Sequence, residues 1–403
     1  MTYKKFTVAT LLFVLILVVG ALPRAIELLN HNYLFGFDQG LFFQAVKQIV
    51  VNHKPALIGS EVGGQGGFFQ GPGWYYLLSI PFFLTGGDPF GAMVLMFLLG
   101  LGTMFSSYFL FRQTHGTAPA LMITFLIALS PAIISQSRFI WPPFPISFLV
   151  VWFLYFLFRL LSGHERALIG LGFTISLLFH FEVAVAATLG ATLVPILLLL
   201  MVRRELRLKT VIAAAVVFFM PLLPLIIFDF RHNFIISHGL YKLIFQGGKP
   251  PHEVTQYYAF AMFKNHWEVF LFSFLQTIRW ADVLWKILIV GIAGTLGVYL
   301  RDKKNTLPEK VFLLYLVLAP VALYGMFMTY MWPMWGWWII ELPIFYCVLL
   351  GIVLTYLWRR IPLIRIVIMV LMLLFVIPNI STILTESGQE LPFYTKIVIG
   401  MSN

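Results

Sequence analysis

A carboxylate set into a very apolar chain is the first place to look for chemistry. Asp38 lies in FGFDQGLFFQAVKQIV, residues 35–50, just after the first long hydrophobic segment. The chain around it is 60% hydrophobic and only 11% charged, so a carboxylate beside a membrane helix is poorly explained by solubility. A proton acceptor in that place suits general-base work at a membrane surface. Other polar residues recur where further apolar segments end. Gln39 follows Asp38, and Glu61 and Gln70 lie later in the same region. Arg138 and Trp141 stand in SRFIWPPFP, His180 and Glu182 in LLFHFEVAV, and Asp229, Arg231 and His232 in FDFRHNF. Glu341 closes the tryptophan-rich MWPMWGWWIIE. Charges near membrane depth are costly and tend to be functional. Polar sets at one depth in independent loops are what an active site assembled across several helices requires.

Each of these residues also has a structural reading. Asp38 suits a helix N-cap. Arg138 and Arg231 suit arginines snorkelling to lipid phosphates. His180 suits a hydrogen-bonded core histidine, Glu182 a partner for it or for an arginine, and Glu61 a solvated loop carboxylate. Trp332, Trp335, Trp337 and Trp338 suit an aromatic belt. Gly63, Gly64, Gly66 and Gly67 have the look of a phosphate-cradling loop, but no GKS/T follows and no strand precedes, which excludes a Walker loop and leaves a flexible outer loop.

The elements that must position these residues are membrane helices. Mean hydropathy is +0.92, and continuous apolar runs of about 20 residues recur along the chain. In lipid the backbone must satisfy itself, and continuous rather than alternating apolar runs select helices over a barrel. The pattern predicts an all-α polytopic membrane protein with eleven spans, near 6–22, 90–111, 117–134, 145–161, 166–181, 183–202, 210–228, 283–300, 311–330, 338–357 and 363–380. The first follows Lys4-Lys5 and has no small-residue cleavage site after it, so it reads as a retained anchor. The net charge of +11 does not point to nucleic acid. Its basic residues sit in short loops, in RRELRLK (203–209), RDKKNTLPEK (301–310) and RRIPLIR (359–365), which is the positive-inside pattern with a cytoplasmic N-terminus. WYYLLSIPFFLTG (74–86) is short and interrupted by Pro81; were it to span, every later basic cluster would fall on the outer face. It is expected to lie along the outer surface, Trp74, Tyr75 and Tyr76 in the headgroup zone. A first outer loop at about 23–89 and a second outer region at about 229–280, with surface-lying helices, complete a single domain over 1–403, with no separate soluble domain. The lone cysteine, Cys347, precludes a disulfide or cysteine metal site within one chain.

The succession FDQGLFFQAVKQI, ALIGSEVGGQGGFFQGPGWYYLLSIPFFLTGGDPFGAMV, SRFIWPPFP and FDFRHNF resembles the polytopic glycosyltransferases of the GT-C superfamily. It is most similar to the branch of protein O-mannosyltransferases and the lipid A aminoarabinose transferase. The resemblance runs from about residue 6 to 235 and is strongest over 35–92. In that family an acidic residue just after the first span, on a surface-lying helix, is the catalytic base, and Asp38 matches it. The family's H/K-P-P-L-Y-Y element corresponds to Gln70-Gly71-Pro72-Gly73-Trp74-Tyr75-Tyr76, with Gln70 in place of a base and a glycine before the proline. Where many members carry Asp-Glu, this chain has Asp38-Gln39. Oligosaccharyltransferase relatives carry a metal-binding D-x-D; SRFIWPPFP has none, so no cofactor is expected, with a divalent metal as the alternative.

The resemblance implies transfer of a sugar from a polyprenyl-phosphate donor to an acceptor hydroxyl on the extracytoplasmic face of the cell (inner) membrane, with inversion. Asp38 is then the base, and Arg138 and Arg231 are the candidates for the departing phosphate, which a guanidinium fork can bind bidentately. Gln39, Glu61, Gln70, Tyr75, Tyr76, Trp141, His180, Glu182 and His232 are expected to line the substrate, with Trp335–Trp338 stacking on sugar or isoprenoid. The acceptor can be a protein, a lipid or a glycan. The alternatives are a transporter or flippase, which calls for polar groups at the midplane and two related halves, another polyprenyl-using enzyme such as an O-antigen ligase, or a non-catalytic scaffold.

Overall fold

The structure is a computed structural model that describes residues 2–31, 34–62, 68–245, 256–278, 281–328, 330 and 332–385. The glycine run at 63–67 and residues 246–255 and 279–280 of the second outer region lie outside them.

All eleven expected spans coincide with helices. They are α1 (Thr2–Asn30), α4 (Pro89–His115), α5 (Thr117–Leu129), α7 (Ile146–Leu161), α8 (Ala167–Leu178), α9 (Val183–Val202), α10 (Leu208–Arg231), α13 (Ala281–Arg301), α14 (Leu307–Phe327), α15 (Leu342–Arg360) and α16 (Ile364–Thr385). Between them lie α2 (Phe37–Val50), α3 (Gly73–Thr85), α6 (Pro131–Ser135), α11 (Ile235–Phe245), α12 (Gln256–Thr277) and a 3₁₀ turn at Gly336–Ile339. Among the described residues, six helices are long and apolar enough to cross a membrane, and five more are apolar but shorter. The chain is a multi-pass membrane protein. α15 is its central post: Ile344, Phe345, Cys347, Val348 and Leu350 are buried, and Gly351 lets α5 come so near that a Cβ there would stand 3.0 Å from the Ile123 nitrogen.

Two boundaries differ from the sequence expectation, and one side chain explains both. α1 does not end near Leu22; it runs through Pro23 to Asn30. The third span does not run to residue 134; it breaks at Ser130 and restarts as α6 at Pro131. Pro131 cannot donate to the Ile127 carbonyl, and the break leaves the Ala128 carbonyl without its helical donor. Arg24, carried in by the continuing α1, supplies both: Nη1 donates to Ala128 O at 2.7 Å and Nη2 to Ile127 O at 3.0 Å. A buried arginine thus satisfies a helix broken inside the bundle, the condition under which such breaks are tolerated at membrane depth.

α8 is also short. Its 12 residues span about 18 Å, well under the hydrocarbon thickness. It gives way to the tight turn 179–182 that carries His180 and Glu182. α3, with 13 residues, is about 20 Å long and likewise below a full span. It buries Trp74, Leu78 and Pro81 and leaves Ile80, Phe83 and Leu84 exposed. Gly86 ends it in the left-handed conformation (φ 65°), and Asp88 caps α4 by accepting from Phe90 N at 2.8 Å.

Candidate active site

Asp38 sits in the first turn of α2, where the helix dipole favours an acid. It is not the cap. Gly36 holds that position, and Gln39 Oε1 accepts from the Gly36 amide at 2.9 Å. The other end of the Gln39 amide donates to Ile140 O at 3.1 Å. Gln39 is therefore a buried tie between α2 and the loop after α6, not a side chain open to a ligand. It fixes Asp38 relative to Trp141, the residue after Ile140. Phe42, one turn on from Asp38, packs edge-on to Trp141 and Trp74, with ring centroids at 5.9 and 6.2 Å.

The second wall is a short antiparallel pairing in the first loop. Gln70 N donates to Ser60 O at 2.9 Å and Gly59 N to Gln70 O at 2.7 Å, with Glu61 opposite Phe69. Tyr75, from α3, shares a 3.2 Å hydroxyl contact with Ser60. Tyr76 donates to Ala56 O at 2.9 Å and faces away.

His180 explains the glycines that set this loop apart. Its Nδ1 accepts from Gly73 N at 3.1 Å, and Gly71 N donates to Phe179 O at 3.0 Å. Accepting at Nδ1 places the proton on Nε2, and burial lowers the imidazole pKa below its ordinary value. The ring is a neutral strut, 4% exposed. A Cβ on Gly71 would overlap the imidazole, and one on Gly73 would stand 2.7 Å from His180 Cβ. The Gln-Gly-Pro-Gly spelling is what this close approach demands. Gly71→Ala is expected to destabilise the protein by about 1–3 kcal/mol, and His180→Ala in the same chain to restore most of the loss, read as thermal unfolding in detergent. Strict additivity of the two changes would break the link.

The third wall comes from the turn after α8 and from the tryptophan-rich segment. Glu182 caps α9 weakly, accepting from Ala184 N at 3.3 Å. It is 2% exposed, and burial pushes its carboxyl up to about 8. Trp335 and Trp337 stack at 4.8 Å, and Trp337 meets Trp141 edge-on at 6.3 Å. Two α12 side chains hold this segment: Asn265 Oδ1 accepts from Met334 N at 2.8 Å, and His266 Nε2 lies 3.0 Å from Trp332 O. Neither Asn265 nor His266 stands out in the sequence, where only NHW within an aromatic run marks them.

These walls enclose one cavity of about 490 Å³. Of the residues expected to do chemistry or line a substrate, Asp38, Glu61, Gln70, Tyr75, Trp141 and Glu182 reach it, with Trp335, Trp337 and Trp338. His180 and Gln39 brace it from behind. Arg138 does not reach its lining. Its Nε donates to Glu27 Oε2 at 2.6 Å and its Nη2 to Glu27 Oε1, a buried pair between the loop after α6 and the extension of α1. Arg231 and His232 lie at the end of α10, outside the lining. His232 stacks on Phe228 at 3.9 Å, and Phe228 meets Phe69, next to Gln70, at 5.9 Å. Asp229 is occupied in holding α11, accepting from Ile236 N at 2.7 Å. No three His, Cys, Asp or Glu side chains form a metal-holding group among the described residues. Chemically the cavity offers exposed and buried carboxyls, a phenol and a set of indole faces, and, among the described residues, no lysine or arginine in its lining.

No protein-family model matches the chain, and no curated protein matches it by sequence. Solved structures match it by fold. ArnT from Cupriavidus metallidurans bound to undecaprenyl phosphate superposes with a TM-score of 0.60 at 14% identity, over 86% of this chain and 60% of that one. Its apo state gives 0.59 at 15% identity, over 89% and 62%. The archaeal oligosaccharyltransferase AglB from Archaeoglobus fulgidus, in complex with an inhibitory peptide and a dolichol-phosphate, gives 0.51 at 15% identity, over 98% and 57%. The chain spans about three fifths of the length of these proteins. It has the GT-C fold, as its succession of spans and loops leads one to expect.

Proposed function

On this GT-C fold, we propose that the chain is a membrane glycosyltransferase that moves a sugar from a polyprenyl-phosphate donor to an acceptor hydroxyl on the extracytoplasmic face. The observation that carries this reading is the meeting of Asp38, Glu61, Gln70, Tyr75, Trp141 and Glu182, from three separate stretches of chain, around one cavity. The fold's neighbours support the donor class: ArnT was solved with undecaprenyl phosphate and AglB with a dolichol-phosphate.

The acceptor oxygen attacks the anomeric carbon from the side opposite the phosphate. Its proton passes to the Asp38 carboxylate, a general-base role. The bond from the anomeric carbon to the phosphate oxygen breaks, and the electron pair leaves on polyprenyl phosphate. One displacement inverts the anomeric configuration. The transition state gathers positive charge on the sugar ring, which carboxylates nearby favour. Asp38 is well suited to the proton because it is exposed and no hydrogen bond or ion pair engages it among the described residues. The leaving phosphate needs a cation from outside the lining. Arg231 fits, since it too makes no ion pair among the described residues and its helix touches the first loop through Phe228. Leu41, on the cavity rim, is 46% exposed, and Phe37 beside Asp38 is 81% exposed. Both suit an isoprenoid chain lying in lipid.

The test is direct. Purified protein in lipid nanodiscs, given polyprenyl-phosphate glucose, mannose, galactose or an aminosugar analogue with candidate acceptors, is expected to release polyprenyl phosphate from at least one donor. Failure to bind or turn over any of them would remove the reading. Net movement of a lipid-linked sugar across the bilayer, with no bond broken, would replace it with the flippase alternative.

A further inference from the structure

The displacement above does not use one acid of the cavity lining, Glu182, or a second, fully buried acid that interacts with it, Glu341. Glu182 is 98% buried by its 2% exposure, yet it belongs to the lining. One of its oxygens accepts a long 3.3 Å bond from Ala184 N, and the other has no partner among the described residues. Glu341, two residues after the 3₁₀ turn at Gly336–Ile339, is 0% exposed, and neither of its oxygens has a hydrogen-bond partner among the described residues. The two carboxyls lie within electrostatic reach of each other, with the hydroxyls of Tyr315 and Tyr346 also within reach of Glu341. The Tyr315 hydroxyl is occupied by Thr192 at 2.8 Å. The Trp141 indole N–H on the cavity wall is a further buried donor without a partner among the described residues.

Buried polar groups are normally satisfied, so an unsatisfied set beside a cavity points to a ligand that completes it. Leaving buried carboxyls ionised with no cation beside them is prohibitive, and taking up a proton is the ordinary escape. Burial pushes the Glu182 carboxyl up to about 8, which favours its protonated form. A protonated carboxyl both donates and accepts, as a sugar hydroxyl does. The flanking indole faces suit the apolar face of a pyranose. A sugar carboxylate would meet the carboxyls of Asp38, Glu61 and Glu182 and, among the described residues, no lysine or arginine in the lining.

We propose that Glu182, backed by Glu341, is the sugar subsite of this cavity, and that it selects sugars presenting hydroxyls there and excludes uronates. This rests on the transferase reading above.

The experiment uses the full chain in nanodiscs, with tryptophan fluorescence reporting binding of bare polyprenyl phosphate, of its glucose, mannose and galactose derivatives, and of its glucuronate derivative. The best neutral hexose is expected to bind about tenfold more tightly than the bare lipid, and the glucuronate no more tightly than it. Glu182→Gln should keep the tenfold gain and Glu182→Leu should lose it, with bare-lipid binding unchanged in both. A Glu182→Leu protein that keeps the gain overturns the subsite, as does a wild type that binds glucuronate as well as hexose; the second comparison decides even where Glu182→Leu does not fold. A folded wild type that binds no polyprenyl phosphate at all overturns the transferase reading itself, and the subsite with it.

Discussion

Asp38→Asn is expected to lower turnover by about 10²–10⁴-fold, the usual worth of a general base, while leaving folding and donor affinity within about twofold of wild type. The substitution keeps size and hydrogen-bonding shape and removes only the proton acceptor. The structure makes the separation clean. Gly36, not Asp38, occupies the cap of α2, and Gln39 closes it by accepting from the Gly36 amide. Asp38 contributes to the helix at most a first-turn charge effect of about 0.3–1 kcal/mol. A large kinetic loss with an unchanged unfolding temperature therefore has no structural explanation. The measurement is single-turnover release of polyprenyl phosphate alongside thermal unfolding and donor binding. An Asn variant within a few-fold of wild-type turnover would remove Asp38 from the chemistry.

Hydropathy was enough to locate the eleven helices, because continuous apolar runs leave lipid-facing chain no other solution. The candidate site was legible to the extent that its residues stand at the ends of those runs, and Asp38, Glu61, Gln70, Tyr75, Trp141 and Glu182 all line one cavity. What stayed hidden were relations between distant stretches. Pro23 reads as a stop, yet α1 continues, and only that continuation brings Arg24 to the carbonyls of Ile127 and Ala128 and Glu27 to Arg138. Gln39 looks like a ligand contact and is a tie to Ile140. Asn265 and His266 carry no mark in the sequence, yet they fix the backbone of the tryptophan run. Each case turns on a side chain meeting a backbone group far along the chain, which local periodicity does not encode. The glycines at 71 and 73 were visible as a departure from the family spelling, but their reason, the His180 ring, is more than 100 residues away.

Breaking the Glu27–Arg138 pair is expected to cost more stability than any other single change at this end of the bundle. Both side chains are buried, at 9% and 4% exposure. Removing one partner of such a pair leaves an uncompensated charge in low dielectric and typically costs about 3–5 kcal/mol, whereas replacing both with apolar groups of similar volume is often close to neutral. Glu27→Leu and Arg138→Leu should each lower the unfolding temperature sharply, and the double replacement should recover most of the loss. The two single changes are not equivalent. Arg24 lies one turn before Glu27 on the same helix and is also buried, its guanidinium committed to the α5 carbonyls. Removing Glu27 leaves a buried guanidinium that cannot shed its charge, whereas removing Arg138 leaves a carboxyl that can take up a proton. Glu27→Leu should therefore be the worse of the pair. The same variants separate the structural role of Arg138 from service to a departing phosphate. If Arg138 held the phosphate, Arg138→Leu would weaken donor binding and Glu27→Leu, by releasing the guanidinium, would strengthen it. The geometry leads us to expect neither change in donor affinity once the folded fraction is accounted for, and a strong opposite-signed shift in the two would return Arg138 to the catalytic site.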